Sequence, residues 1–125
     1  MPFQYARDDT TRRIRTTLSD PLTVDELIAL VEHQLADGTW RYGMIIDARS
    51  VALFTFKPVE MQLFVARVRD RSAAHGPRGP VAVVSRHSPV ISGSTIYKSF
   101  GGKAEVFWDM DEAQRFLDQW FAQNP

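Results

Sequence analysis

The chain has 125 residues, of which 44% are hydrophobic and 24% charged, and this is the size and composition of one globular domain. Its 15 basic and 15 acidic residues give a net charge of zero, so no general attraction to nucleic acid or to an anionic membrane surface is expected. The absence of cysteine excludes disulfides, thiolate metal sites and cysteine nucleophiles and fits a reducing compartment, and we predict one cytoplasmic domain over residues 1–125 with no membrane span and no cofactor.

The N-terminal third of the chain predicts two strands followed by a helix. Apolar and polar residues alternate over residues 3–7 and again over 13–18, with a turn between them, which is typical of an antiparallel hairpin. Thr23 and Glu26 have the spacing of a capping box at a helix start, and Gly38 is the kind of residue that ends a helix. Between them, apolar side chains recur at helical spacing and predict one buried face, formed by Val24, Leu27, Ile28, Val31 and Leu35.

The rest of the chain alternates between short apolar runs and helical segments. Each run is almost continuously apolar, which is typical of strands covered on both faces in a parallel sheet, and the runs span residues 42–47, 81–85 and 104–107. A helix is predicted after each run, from Pro58 to about Arg71, from Ser88 to Gly101, and from Asp109 onward.

The order of the predicted elements is β-β-α-β-α-β-α-β-α. Strand–helix–strand units build parallel sheets with right-handed crossovers. We therefore predict an α/β fold with a five-stranded mixed sheet, in which an N-terminal antiparallel hairpin precedes parallel strands, flanked by four helices. Ile45 and Val83 lie in the most apolar runs, and we expect them on adjacent or near-adjacent parallel strands at the centre of the sheet.

The segments around the first and last buried strands carry a family resemblance. The strand 44–47 ends in Asp47 and is followed by a ten-residue loop and a helix, and the last strand and helix contain Ala104-Glu105-Val106-Phe107, Asp111-Glu112-Ala113 and Phe116-Leu117. In this order and pattern the chain resembles the SpoIIAA-like, or STAS-like, family of bacterial anti-sigma-factor antagonists. The resemblance implies the same α/β fold over nearly the whole chain and a non-enzymatic, regulatory protein-interaction role.

The phosphorylation site of that family has no direct counterpart in this chain. The resemblance implies that a partner kinase phosphorylates a Ser or Thr at the start of the second helix, usually after an Asp. The matching pair is Thr55-Phe56, so the acceptor position holds a side chain without a hydroxyl. We therefore expect a module without the usual phospho-switch. Thr55, one residue away, is an alternative acceptor, although capping the second helix is the favoured role of its hydroxyl.

The second helix is predicted to have two apolar faces. One is an ordinary buried stripe, and the other lies opposite it, where a surface helix should be polar; this indicates burial on both sides or contact with a partner. The alternatives are cover by long loops or a scatter of exposed apolar side chains. We favour a protein partner or a second copy of the chain and predict a homodimer, with partner-binding residues Phe56, Val59, Leu63 and Ala66.

An alternative function is the binding of a small ligand or lipid in a pocket at the carboxyl ends of the strands. Helix N-termini there offer free N–H groups to anions, and ligands of open α/β sheets gather at this edge. The candidate binding residues are Arg49, Ser85, Arg86 and Ser88. The favoured interpretation is less specific: Ser88 caps its helix and Arg86 is a solvated loop residue. The apolar part of the preceding loop, residues 51–54, separates the two functions, because it must plug the core, touch a partner or line a pocket.

An enzymatic function is the least favoured. The sequence offers no nucleophile–base pair that can be named and no glycine motif for phosphates. Its three histidines, His33, His75 and His87, lack the spacing of a helical metal site. We therefore predict no catalytic residues and no bound metal.

Overall fold

The computed structural model describes residues 3–124, which form seven strands and four helices. In chain order the elements are β1 (Phe3–Asp8), β2 (Arg13–Leu18), β3 (Leu22–Thr23), α1 (Val24–Ala36), β4 (Gly43–Asp47), β5 (Phe54–Thr55), α2 (Pro58–His75), β6 (Val81–Val84), α3 (Ser88–Ser99), β7 (Glu105–Phe107) and α4 (Met110–Gln123).

The main sheet has five strands in the order β1-β2-β4-β6-β7. The hairpin β1-β2 is antiparallel, and all other neighbours are parallel. This confirms the predicted mixed sheet. The strand β4 lies at its centre beside β6, where Ile45 faces Ala82 and Ile46 faces Val83, so the prediction for Ile45 and Val83 is also confirmed.

Successive residues of β4 point to opposite faces of the sheet, and each face has its own core. Met44 and Ile46 pack with Leu30 of α1 and Val90 of α3. Ile45, on the other face, packs with residues of α4. The helix α2 packs mainly against α1 and α3, because its buried residues meet Val31 and Tyr97 rather than the strands. It therefore bridges two helices above the sheet.

Two features of the sheet differ from the sequence prediction. The last strand, β7, was predicted to be buried, but its Glu105 is exposed and Val106 and Phe107 are only half-buried, because β7 is an edge strand with a neighbour on one side. The loop 48–57 is also more ordered than predicted. It contains β5, which pairs in parallel with β3 to form a separate two-stranded sheet.

The loop before β5 is fixed by an aspartate and by one core residue. The carboxylate of Asp20 accepts hydrogen bonds from the backbone N–H of Ala52 at 2.9 Å and of Leu53 at 2.8 Å. Val51 is completely buried in the core. Phe54 is half-buried, whereas Leu53 is 63% exposed. The apolar run therefore divides its side chains between the core and the surface.

The helices match their predicted starts more closely than their ends. Thr23 accepts the N–H of Glu26 at 3.4 Å, as predicted, and Asp109, where the last helix was predicted to begin, accepts that of Glu112 at 2.8 Å. The helix α2 continues to His75, beyond the predicted end near Arg71, and stops at a glycine with a positive φ. No helix within residues 3–124 is both long and apolar enough to cross a lipid bilayer.

Candidate functional site

The outer face of α2 is an exposed row of apolar side chains, as predicted. Val59 is 56% exposed, Leu63 is 63% exposed, and Ala66 is also exposed. These residues are four and three positions apart and so lie along one side of the helix. The opposite side carries the buried residues Met61 and Phe64, which pack against α1 and α3.

Phe56 does not extend this row, contrary to the prediction. The helix α2 begins at Pro58, and the residue before a proline is held extended, here with Lys57 at φ −105° and ψ 149°. The pairing of β5 with β3 also keeps the chain extended just before Phe56. The Phe56 ring is half-buried against Phe54, with ring centroids 4.9 Å apart.

Thr55 lies in β5 and is exposed, so the prediction that it caps α2 is wrong. The N-cap residue is Lys57, whose backbone N–H donates to the Glu60 carboxylate at 2.7 Å. Thr55 instead pairs with Thr23 in the two-stranded sheet, two residues before the N-cap.

The four candidate ligand residues at the carboxyl ends of the strands are near one another, but their polar groups are largely occupied within the chain. Arg49 donates to both carboxylate oxygens of Asp47, at 2.9 and 2.7 Å. Ser85 is buried, and its hydroxyl accepts the N–H of His87 at 3.1 Å. Arg86 donates to the carbonyl of Trp108 at 3.3 Å and lies over its ring.

The prediction that Ser88 caps α3 is wrong by one residue. The N-cap of α3 is His87, and Ser88 is the first helical residue and is exposed. The His87 ring instead contacts the Arg49 carbonyl at 3.1 Å. This contact joins the loop after β4 to the start of α3, so the cluster acts as a structural clasp between two strand ends.

Asp47 is the electrostatic centre of this clasp. It is 7% exposed and pairs with Arg49 at 2.7 Å and with Arg15 at 3.4 Å. The hydrogen bond from Arg49 lowers the pKa of Asp47, and this effect exceeds the opposing effect of burial. The carboxylate is therefore ionised wherever the fold is stable near neutral pH.

Asp47→Asn is expected to lower the free energy of unfolding by about 1–3 kcal/mol at pH 7, because charge-assisted hydrogen bonds in a poorly solvated site are lost. A carboxyl group with a lowered pKa stabilises the fold above its unfolded-state pKa, and the effect is lost as the pH falls through its folded-state pKa. The difference between wild type and variant should thus shrink below about pH 4. Urea unfolding at several pH values measures this, and a difference independent of pH would contradict it.

An apolar cavity lies between the sheet and the helices, whereas the sequence predicted a pocket at the carboxyl ends of the strands. It extends from Leu18 and Ala48 at the carboxyl ends of the strands to Val81 and Ala104 at the amino ends. Measured as the space open to the centre of a water-sized sphere, it is about 70 Å³. The cavity exists because α2 packs on α1 and α3 instead of on the strands.

Two of the aromatic side chains that line the cavity each pack on a glycine. A Cβ at Gly93 of α3 would lie 2.5 Å from the Phe54 ring, so the glycine allows this ring to lie on the helix. Likewise a Cβ at Gly102 would lie 2.3 Å from the Tyr97 ring.

At one end of the cavity stands Arg78. Its Nε donates to the Gln34 side chain at 3.0 Å, and its guanidinium lies 5.6 Å from the Trp40 ring centroid. No carboxylate of residues 3–124 forms an ion pair with it. Burial lowers the pKa of Arg78, opposed by Tyr97, and the guanidinium remains a cation at neutral pH. Because Arg78 lies in a Gly- and Pro-rich loop, the sequence did not indicate that it lines a cavity.

No group of three metal-ligating side chains capable of holding an ion was found in the described part of the chain. Of the predicted ligand residues, Arg49 comes together with Asp47 and His87, but these three form the clasp described above.

Comparisons with known proteins give the fold. No protein-family model and no curated protein matches the chain. A solved structure does: an uncharacterized protein from the DUF3478 family with a SpoIIAA-like fold, from Shewanella loihica PV-4. The two share 16% sequence identity, with a TM-score of 0.54 over 92% of this chain and 91% of that one. The predicted SpoIIAA-like fold is thus confirmed.

Proposed function

We propose that this chain, which has a SpoIIAA-like fold, is a bacterial, cytoplasmic regulatory module that binds protein and catalyses no reaction of its own. Its partner is a second copy of the chain, bound through the outer face of α2. The observation that carries the proposal is the exposure of Val59 and Leu63 in one row on that helix. Burying a leucine side chain contributes about 1.5–3 kcal/mol of free energy, so the association of two such rows is favourable.

The charge of the molecule supports a second copy as the partner. A net charge of zero leaves no overall repulsion between copies. Around the α2 row, Lys57 and Asp70 form no ion pair among the described residues. With a rise of about 1.5 Å per residue, an antiparallel pairing centred between Leu63 and Phe64 brings Lys57 of each copy level with Asp70 of the other. The interface therefore gains two complementary charge pairs at its ends.

The oligomeric state in solution tests this proposal. Light scattering at micromolar concentration should give twice the 14.2 kDa mass of one chain. A mass of one chain up to the highest soluble concentration would contradict self-association.

We expect no phosphorylation at the start of α2 when the protein is co-expressed with a kinase of the anti-sigma type. The family's acceptor position holds Phe56, and Thr55 lies in β5, where its backbone is held in a strand pair. Intact-mass spectrometry should give the unmodified mass, and a Thr55→Val variant serves as the control. Stoichiometric phosphate that disappears in this variant would restore the phospho-switch.

A further inference from the structure

The cavity beneath α2 has the chemistry of a binding site for an amphipathic anion. Its wall is almost wholly apolar, and Arg78 with its cationic guanidinium stands at one end. A cation that is partly removed from water and lacks a carboxylate partner is costly, and such a group is normally paired or hydrogen-bonded. Nε of Arg78 donates to the Gln34 side chain and the Tyr97 side chain lies beside the guanidinium, but no carboxylate of residues 3–124 pairs with its terminal nitrogens.

The surroundings of Arg78 also favour the binding of an anion. A groove of about 240 Å³ opens beside it between α2 and α3 and shares Arg78 and Tyr97 with the cavity. Arg69 and Lys103 line this groove, and no acidic side chain does. An anion approaching from solvent therefore meets three cations and no opposing charge, which favours its entry.

Arg78 is also held in position before any ligand arrives. The backbone N–H of Gly79 donates to the Trp40 carbonyl at 2.9 Å, and the Trp40 indole N–H donates to the Gly76 carbonyl at 2.8 Å. These bonds fix the loop on both sides of Arg78. A binding group that is already immobilised loses less entropy when it binds its ligand.

We propose that the cavity binds a medium-chain alkyl oxyanion, with the chain among the apolar residues and the carboxylate or phosphate on Arg78. The cavity has room for about five water-sized groups, and because a methylene is about as large as a water molecule this matches about five or six carbons beyond the head group. Guanidinium pairs with either head group through two parallel hydrogen bonds. This function is independent of self-association through the outer face of α2, which lies on the other side of that helix.

Calorimetric titration with butanoate, hexanoate and octanoate tests the apolar part. Each added methylene that enters the cavity should tighten binding about fourfold. Octyltrimethylammonium, with the same chain and the opposite charge, should not bind. Comparing octanoate with octyl phosphate identifies the preferred head group. Affinity independent of chain length, or equal binding of the cation, would overturn the proposal.

Variants locate the site. Arg78→Gln should weaken octanoate binding on the order of tenfold or more and Arg78→Lys much less, whereas Arg86→Gln, the control at the strand ends, should have no effect. Ser94→Leu fills the cavity without touching Arg78 and should abolish binding while the domain stays folded. In nuclear magnetic resonance spectra, octanoate should shift the indole N–H of Trp40 and not that of Trp108. Undiminished binding by Arg78→Gln or Ser94→Leu, or a shift at Trp108 alone, would refute the assignment.

Discussion

Leu63→Asp is expected to convert the dimer into a folded monomer. A two-fold interface carries the substitution twice, so two carboxylates lose their hydration against an apolar surface and repel each other. Self-association should weaken by about a hundredfold or more. Because Leu63 is 63% exposed in the single chain, the stability of the monomer should change by no more than about 0.5 kcal/mol. Sedimentation and circular dichroism on one sample measure both effects.

The control is Gln62→Asp, which adds the same charge to the neighbouring exposed position, about 100° round the helix. It should leave most of the self-association intact. A Leu63→Asp protein that is folded and sediments like the wild type would refute the interface. An unfolded variant would show that Leu63 contributes to the core, in contradiction to its exposure.

Gly79→Ala is expected to have the largest effect on stability. Gly79 is buried where two backbone segments touch, and an added Cβ would lie 2.2 Å from the carbonyl oxygen of Tyr42. That neighbour is backbone of the segment entering β4 and cannot turn aside as a side chain can. We expect a loss of about 3 kcal/mol in the free energy of unfolding, measured by urea denaturation.

Comparing Gly38→Ala with Gly79→Ala separates the cost of a positive φ from the cost of steric crowding. Gly38 has a φ of +73° but nothing within 4 Å of an added Cβ, so its substitution costs only the conformational strain, about 1–2 kcal/mol. Gly79 does not rely on a positive φ. A smaller loss for Gly79→Ala than for Gly38→Ala would show that the 77–80 loop moves freely, and it would also remove the argument that Arg78 is held in place.

The sequence alone determined the elements and their order. The hairpin, the central position of β4 and β6, and the caps Thr23 and Asp109 depend on periodicity and local hydrogen bonding, which neighbouring residues set. The exposed row on α2 could also be predicted from the sequence, because the period of the helix determines which side each residue occupies.

Tertiary structure alone decided where these elements meet. Phe56 left the α2 row because β5 pairs with β3, thirty-two residues earlier in the chain. The helix start at Ser88 was found, but its cap was misplaced, since the Ser85 and His87 contacts of the clasp fix the local backbone. The cavity was not predictable, because a gap is a property of how three helices pack over a sheet. The sequence around Arg78 has no pattern that indicates a binding site. Its candidate role depends on the apolar cavity beside it and on the lack of a carboxylate partner among the described residues, and residues distant in sequence determine both.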